Sequence, residues 1–163
     1  MRKWKVPALL LAVMLLLTGC APKDAGLAIL IGLDKTELAQ GDLPCRSYYE
    51  GETLMLPLCK VAETLGYSSE WDSASKTAVI DDGYIQKATL TAGSTTAVFE
   101  GKLKMLNMSR EAELTVKPVV VEGVLYVPAD FFTEFLNDVE YGEGIVTIAP
   151  SMNYTDYIKA FFG

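Results

Sequence analysis

Brief apolar runs broken by turn residues recur along the chain after residue 26. They fall at 27–33, 53–56, 77–80, 88–91, 96–99, 103–108, 119–121, 124–127 and 145–148. Runs of this length, rich in β-branched residues and bounded by Gly, Asp and Asn, predict short strands rather than long helices. Asp82-Gly83 reads as a two-residue hairpin turn. Gly101, Gly123 and Gly144 stand at other junctions between runs.

Two stretches carry helical spacing instead. In 57–66 the apolar residues Leu58, Val61, Ala62 and Leu65 fall on one face. Pro57 suits the first helical position, and Gly66 suits the left-handed residue just past the end. In 128–137 a wider stripe of Phe131, Phe132, Phe135 and Leu136 follows Pro128, with Asn137 as the expected left-handed terminator. Neither proline is preceded by a capping Ser, Thr, Asp or Asn.

The two stretches sit in matching surroundings. Glu50-Gly51 precedes one short strand and Pro57, and Glu122-Gly123 precedes the other and Pro128, 71 residues later. Each predicted helix is followed by two further strands, starting near Glu70-Trp71 and Glu140-Tyr141. The expectation is an α+β fold: mostly antiparallel strands wrapped around two short helices from an internal turn–strand–helix–strand repeat.

The first twenty residues follow another pattern. Arg2, Lys3 and Lys5 precede an unbroken apolar run at 8–17, closed by Leu17-Thr18-Gly19-Cys20. The run is too short to span a bilayer, which takes about 20 residues, but suits the core of a signal peptide. The closing tetrapeptide resembles the lipobox of bacterial lipoproteins. That resemblance implies cleavage before Cys20 and lipid on its thiol, and two or more acyl chains hold stably where one is marginal. A secretory signal with an incidental cysteine is the competing reading; charge, core length and tetrapeptide together favour the lipobox. The expected division is a signal peptide at 1–19, lipidated cysteine and tether at 20–26, one domain at 27–149, and a C-terminal tail with a short helix at 150–163.

Removing 1–19 changes the charge. Three of the 14 basic residues leave with the signal, so 11 face 21 acidic residues and the net is −10. Such a surface repels nucleic acid and anionic lipid, and a protein partner would present basic residues. Cys45 and Cys59 remain. Outside the cytoplasm they are candidates for a disulfide, with two free thiols as the alternative. A bridge closing about 15 residues stabilises by roughly 3 kcal/mol in the chain-entropy model.

The residues also spell a family pattern. Gly51, Pro57, Leu58, Ala62, Glu63, Leu65, Gly66, Tyr67, Trp71 and Asp72 fill one motif, with one extra residue before the proline. Gly93, Ser94, Ala97, Gly101 and Lys102 continue it, and Gly123, Tyr126, Val127 and Pro128 repeat its start. Over about 45–149 this resembles the copper amine oxidase N-terminal-like or stalk domain, common on surface proteins of Gram-positive bacteria. The resemblance implies antiparallel sheet around helix, with Trp71 and Tyr67 in the core. It implies no oxidase, because in the namesake enzymes the stalk lies apart from the catalytic domain. The family commonly carries arginine after Pro-Leu; Cys59 and Asp130 hold those positions here.

Candidate chemistry is sparse. The chain has no histidine, which excludes His-activated nucleophiles and imidazole metal sites. No cofactor and no metal is expected. Cys59-Lys60 is a poor thiolate pair, since adjacent helical residues point about 100° apart. Asp81-Asp82 has a turn explanation. Asn137, Asp138, Glu140 and Glu143 offer oxygen ligands without EF-hand spacing. Tyr48, Tyr49, Tyr67 and Trp71 offer an aromatic platform for a sugar ring, against the core role that the resemblance gives two of them. The expected function is a non-catalytic envelope module, a spacer or a binding domain for wall polymer, peptide or protein. The alternative is a small carboxylate-dependent hydrolase of wall glycan.

Overall fold

Strand alternation, with one face buried and the next residue turned to solvent, is plain in β6 (Thr77–Asp81) and β8 (Thr96–Gly101). The computed structural model describes residues 25–38 and 46–152. The expected signal peptide at 1–19, Cys20, most of the expected tether, Cys45 and the tail from 153 onward lie outside the described residues.

Three sheets form. A five-stranded antiparallel meander runs β5 (Ser68–Asp72), β6, β7 (Gln86–Thr91), β8 and β9 (Arg110–Glu113). A four-stranded sheet has the order β10 (Val119–Val121), β11 (Val124–Pro128), β4 (Thr53–Pro57), β3 (Tyr48–Glu50). Its centre pairs Met55 with Pro128 and Pro57 with Tyr126. The third has the order β12 (Asn137–Gly142), β13 (Ile145–Pro150), β1 (Ala28–Ile31), β2 (Thr36–Glu37). There β1 runs parallel to β13, the one parallel pairing among the described strands. The architecture is mostly antiparallel sheet with two short helices, as the spacing predicted.

The apolar faces of α1 (Leu58–Thr64) and α2 (Asp130–Glu134) enter one core. Leu58, Val61 and Ala62 are fully buried, while Leu65 is half-buried. Phe131, Phe132 and Phe135 join Phe99 in an aromatic cluster, with Phe131 and Phe135 stacked at 5.8 Å between centroids. Burying side chains of this size contributes about 1.5–3 kcal/mol each. A smaller cluster, Tyr48, Met55 and Tyr126, lines the other face of the second sheet.

The helix ends differ from expectation. Pro57 and Pro128 are the last residues of β4 and β11, and the helices begin after them at Leu58 and Asp130. Each proline sits on strand geometry; Pro57, at φ −71° and ψ 107°, is the extended residue flanking α1. At the far end of α1, Gly66 takes φ +86°. Its N–H reaches Glu63 O at 3.0 Å, and Tyr67 N–H reaches Ala62 O at 2.9 Å. That paired closure is the Schellman motif, and it needs a left-handed residue at Gly66.

In α2 the left-handed residue is Leu136 (φ +59°), not Asn137. Asn137 opens β12 and turns its side chain inward. Its Nδ2 donates to Phe132 O at 3.2 Å and Phe135 O at 2.9 Å, and its Oδ1 accepts from Tyr67 Oη at 2.9 Å. The side-chain amide thus serves a carbonyl that a backbone N–H serves in α1.

Two other runs deviate. The stretch 103–108 forms turns rather than a strand, with Leu106 N–H bonded to Leu103 O and Met105 90 % exposed. It lacks a sheet partner because Gly101, packed against Met108 backbone, ends β8, and pairing resumes only at Arg110. The expected two-residue turn at Asp82-Gly83 is a four-residue connection, 82–85. Buried Asp82 closes it by accepting from the N–H groups of Tyr84 and Ile85, both at 2.8 Å, and of Gln86 at 3.1 Å.

Candidate functional site

Sites that bind are usually concave and combine apolar walls with a few placed polar groups. A cleft of about 320 Å³ opens where β3, β4, the start of α2 and β12 converge. Tyr49, Glu52, Leu54, Ala129, Asp130 and Tyr141 are among the residues that line it.

Each position follows from local rules. Strand alternation sends Tyr48 inward, ring to ring with Tyr126 at 5.3 Å, and turns Tyr49 outward, 47 % exposed. Gly51 (φ +63°) turns the β3–β4 hairpin and brings Glu52 to the rim. Ala129 N–H bonds Leu54 O at 2.8 Å, tying the start of α2 to β4 and fixing where Asp130 emerges. Tyr141 stands on the outer strand of the third sheet, 60 % exposed.

Electrostatics mark the same place. The Tyr141 hydroxyl is pushed above the usual tyrosine range, first by desolvation, then by Tyr49 and the Asp130 carboxylate. Asp130 Oδ1 is buried and meets no hydrogen-bond partner among the described residues. Among the described residues no lysine or arginine lines the cleft.

The residues singled out by sequence scatter. Tyr48 and Tyr67 are buried, Trp71 is half-buried against the main core, and only Tyr49 of the four aromatic candidates reaches an open surface. Asp81 pairs with Lys102 across the hairpin. Its carboxyl lies below the usual range: burial raises it, but the Lys102 hydrogen bond and charge and the Gly83 N–H outweigh that. Asp138 accepts from Ser151 Oγ at 2.9 Å and, with Glu140 and Lys35, lines a smaller groove. Among the described residues no three His, Cys, Asp or Glu side chains converge as metal ligands. Cys59 is half-buried, and burial pushes its thiol up, with Ser69 opposing and the Glu63 charge adding. Gly51, Gly66, Gly101, Gly123, Pro57 and Pro128 all lie at turns, helix flanks or strand ends.

Sequence reasoning missed Tyr141 and Asp130 as site residues. Tyr141 was visible only as an aromatic in the second repeat, and Asp130 only as a departure from arginine. Their meeting with Tyr49 depends on long-range packing.

No helix among the described residues is long and apolar enough to cross a membrane. Comparison with curated proteins and with solved structures gives no match. The profile of the family described as copper amine oxidase N-terminal domain matches residues 39–149, more than half of the 163. In the oxidases that domain is a non-catalytic accessory domain. With its motifs lying on the strand ends, turns and helix flanks of a mostly antiparallel fold, this chain belongs to the copper amine oxidase N-terminal domain family.

Proposed function

We propose that the protein is a non-catalytic module of the cell envelope, held at the outer face of a Gram-positive membrane by lipid on Cys20. It acts there as a spacer or binding domain for wall polymer, peptide or a basic protein. The observation that carries this reading is the family match over 39–149, since the namesake domain is accessory rather than catalytic. The surroundings of the acidic residues support it. Asp81 is neutralised by Lys102, Asp82 holds a loop, and Asp138 bonds Ser151, so each has a structural role. We take the two units, β3-β4-α1-β5-β6 and β10-β11-α2-β12-β13, as copies of one repeat whose hydrogen-bonded centre is the β4–β11 pair.

Incubating the pure protein with isolated wall glycan and wall peptide, and following released fragments by mass spectrometry, tests this reading. The expected result is no turnover. Hydrolysis that is abolished by changing one of Asp81, Asp82, Asp138 or Glu140 would overturn it in favour of a carboxylate-dependent hydrolase.

A further inference from the structure

We propose that the cleft between Tyr49 and Tyr141 holds the guanidinium or ammonium group of a basic side chain presented by a peptide partner, with Asp130 and Glu52 accepting its N–H donors. This deepens the binding-module reading by assigning that module a place and a ligand chemistry.

The cleft carries four features that a cation satisfies together. Two tyrosine rings stand at its walls, both substantially exposed, and an aromatic face attracts a positive charge through its quadrupole. Two carboxylates share the same concavity, and among the described residues no basic side chain lines it to neutralise them. Asp130 Oδ1 is buried without a donor among the described residues. A carboxylate held partly out of water is costly, and an incoming cation at its open side offsets that cost. The Tyr141 hydroxyl, raised first by desolvation and then by Tyr49 and Asp130, has both of those side chains within electrostatic reach.

The size limits the ligand. At about 320 Å³ the cleft stands at the lower end of ligand-site volumes and admits the end of one side chain, not a folded surface. A neutral sugar could stack on the tyrosines, but it would bring no charge to offset the two carboxylates. The acidic character of the domain favours the same sign of ligand over longer range, through steering rather than contact.

The test uses the full lipidated chain in a non-ionic detergent and a fluorescein-labelled tri-arginine peptide, followed by anisotropy. A tri-citrulline peptide of the same length removes the charge, and a chito-oligosaccharide serves as competitor. Binding of the arginine peptide should exceed that of the citrulline peptide at least tenfold, and the sugar should not compete. Asp130→Asn should weaken binding about tenfold or more, the scale of one charge-assisted hydrogen bond. Tyr141→Ala, at an exposed position that leaves folding intact, should weaken it severalfold. Glu70→Gln, on exposed β5 away from the cleft, should change it less than twofold. Equal binding of the two peptides, displacement by the sugar, or equal losses from Glu70→Gln and from the two cleft variants would each overturn the proposal. Failure here is distinguishable from failure of the non-catalytic reading, which falls on turnover of wall substrates.

Discussion

Replacing Asn137 by Ala should be among the most damaging polar substitutions in this domain. The side chain is 1 % exposed and makes three hydrogen bonds, two to the last turn of α2 and one from Tyr67 Oη. Its removal takes a donor from two carbonyls and an acceptor from the Tyr67 hydroxyl beside the aromatic cluster. At about 0.5–1.5 kcal/mol net per bond, with buried partners left unsatisfied, the loss should be about 2–4 kcal/mol. For a domain of this size, roughly 3–5 °C per kcal/mol gives a fall of about 6–20 °C in Tm. Tyr67→Phe removes only the hydroxyl and should cost about 1 kcal/mol. Because Tyr67 and Asn137 share one bond, the double variant should lose less than the sum, by about 0.5 kcal/mol or more. Urea unfolding followed by Trp71 fluorescence and far-ultraviolet circular dichroism supplies all three values. A loss below about 0.5 kcal/mol for Asn137→Ala, or strict additivity with Tyr67→Phe, would refute the idea that this amide joins α2 to α1.

Phe132→Ala should cost about 3–5 kcal/mol in the same assay, while half-buried Leu65→Ala should cost distinctly less, about 1–2 kcal/mol. Gly66→Ala places a Cβ at φ +86°, and should cost about 1–2 kcal/mol from left-handed strain alone, since nothing stands within 4 Å of the new atom. Asp81 has a folded-state value below the ordinary 3.8, so its contribution is present above that pH and lost as pH falls through the folded value. Asp81→Asn should therefore flatten the acid limb of the stability curve below about pH 4; an unchanged limb would show that the Lys102 pairing adds nothing.

Strand placement and the buried faces of both helices were legible because they depend on local spacing. Leu58, Val61, Ala62, Phe131 and Phe132 lie where period-3.6 reasoning puts them. The Gly66 cap was legible for the same reason, since only glycine reaches its geometry cheaply. Asn137 was misread because its role is set by a partner 70 residues away, Tyr67, and not by its own backbone. The run at 103–108 was misread as strand because apolar content cannot say whether a neighbour is there to pair with. The cleft was illegible on the same ground. Tyr49, Asp130 and Tyr141 come from three elements, and β3 gave no hint of which outward residue would find company.

Where the module is held is tested most directly by the chemistry of Cys20. Protein extracted from membranes of the producing cell should yield, by mass spectrometry, an N-terminal peptide beginning at Cys20 and carrying a diacylglyceryl group. Cys20→Ala should leave the protein unprocessed or release it to the medium. An unmodified Cys20 in the mature chain, or a Cys20→Ala protein that fractionates with membranes as the wild type does, would contradict the anchor.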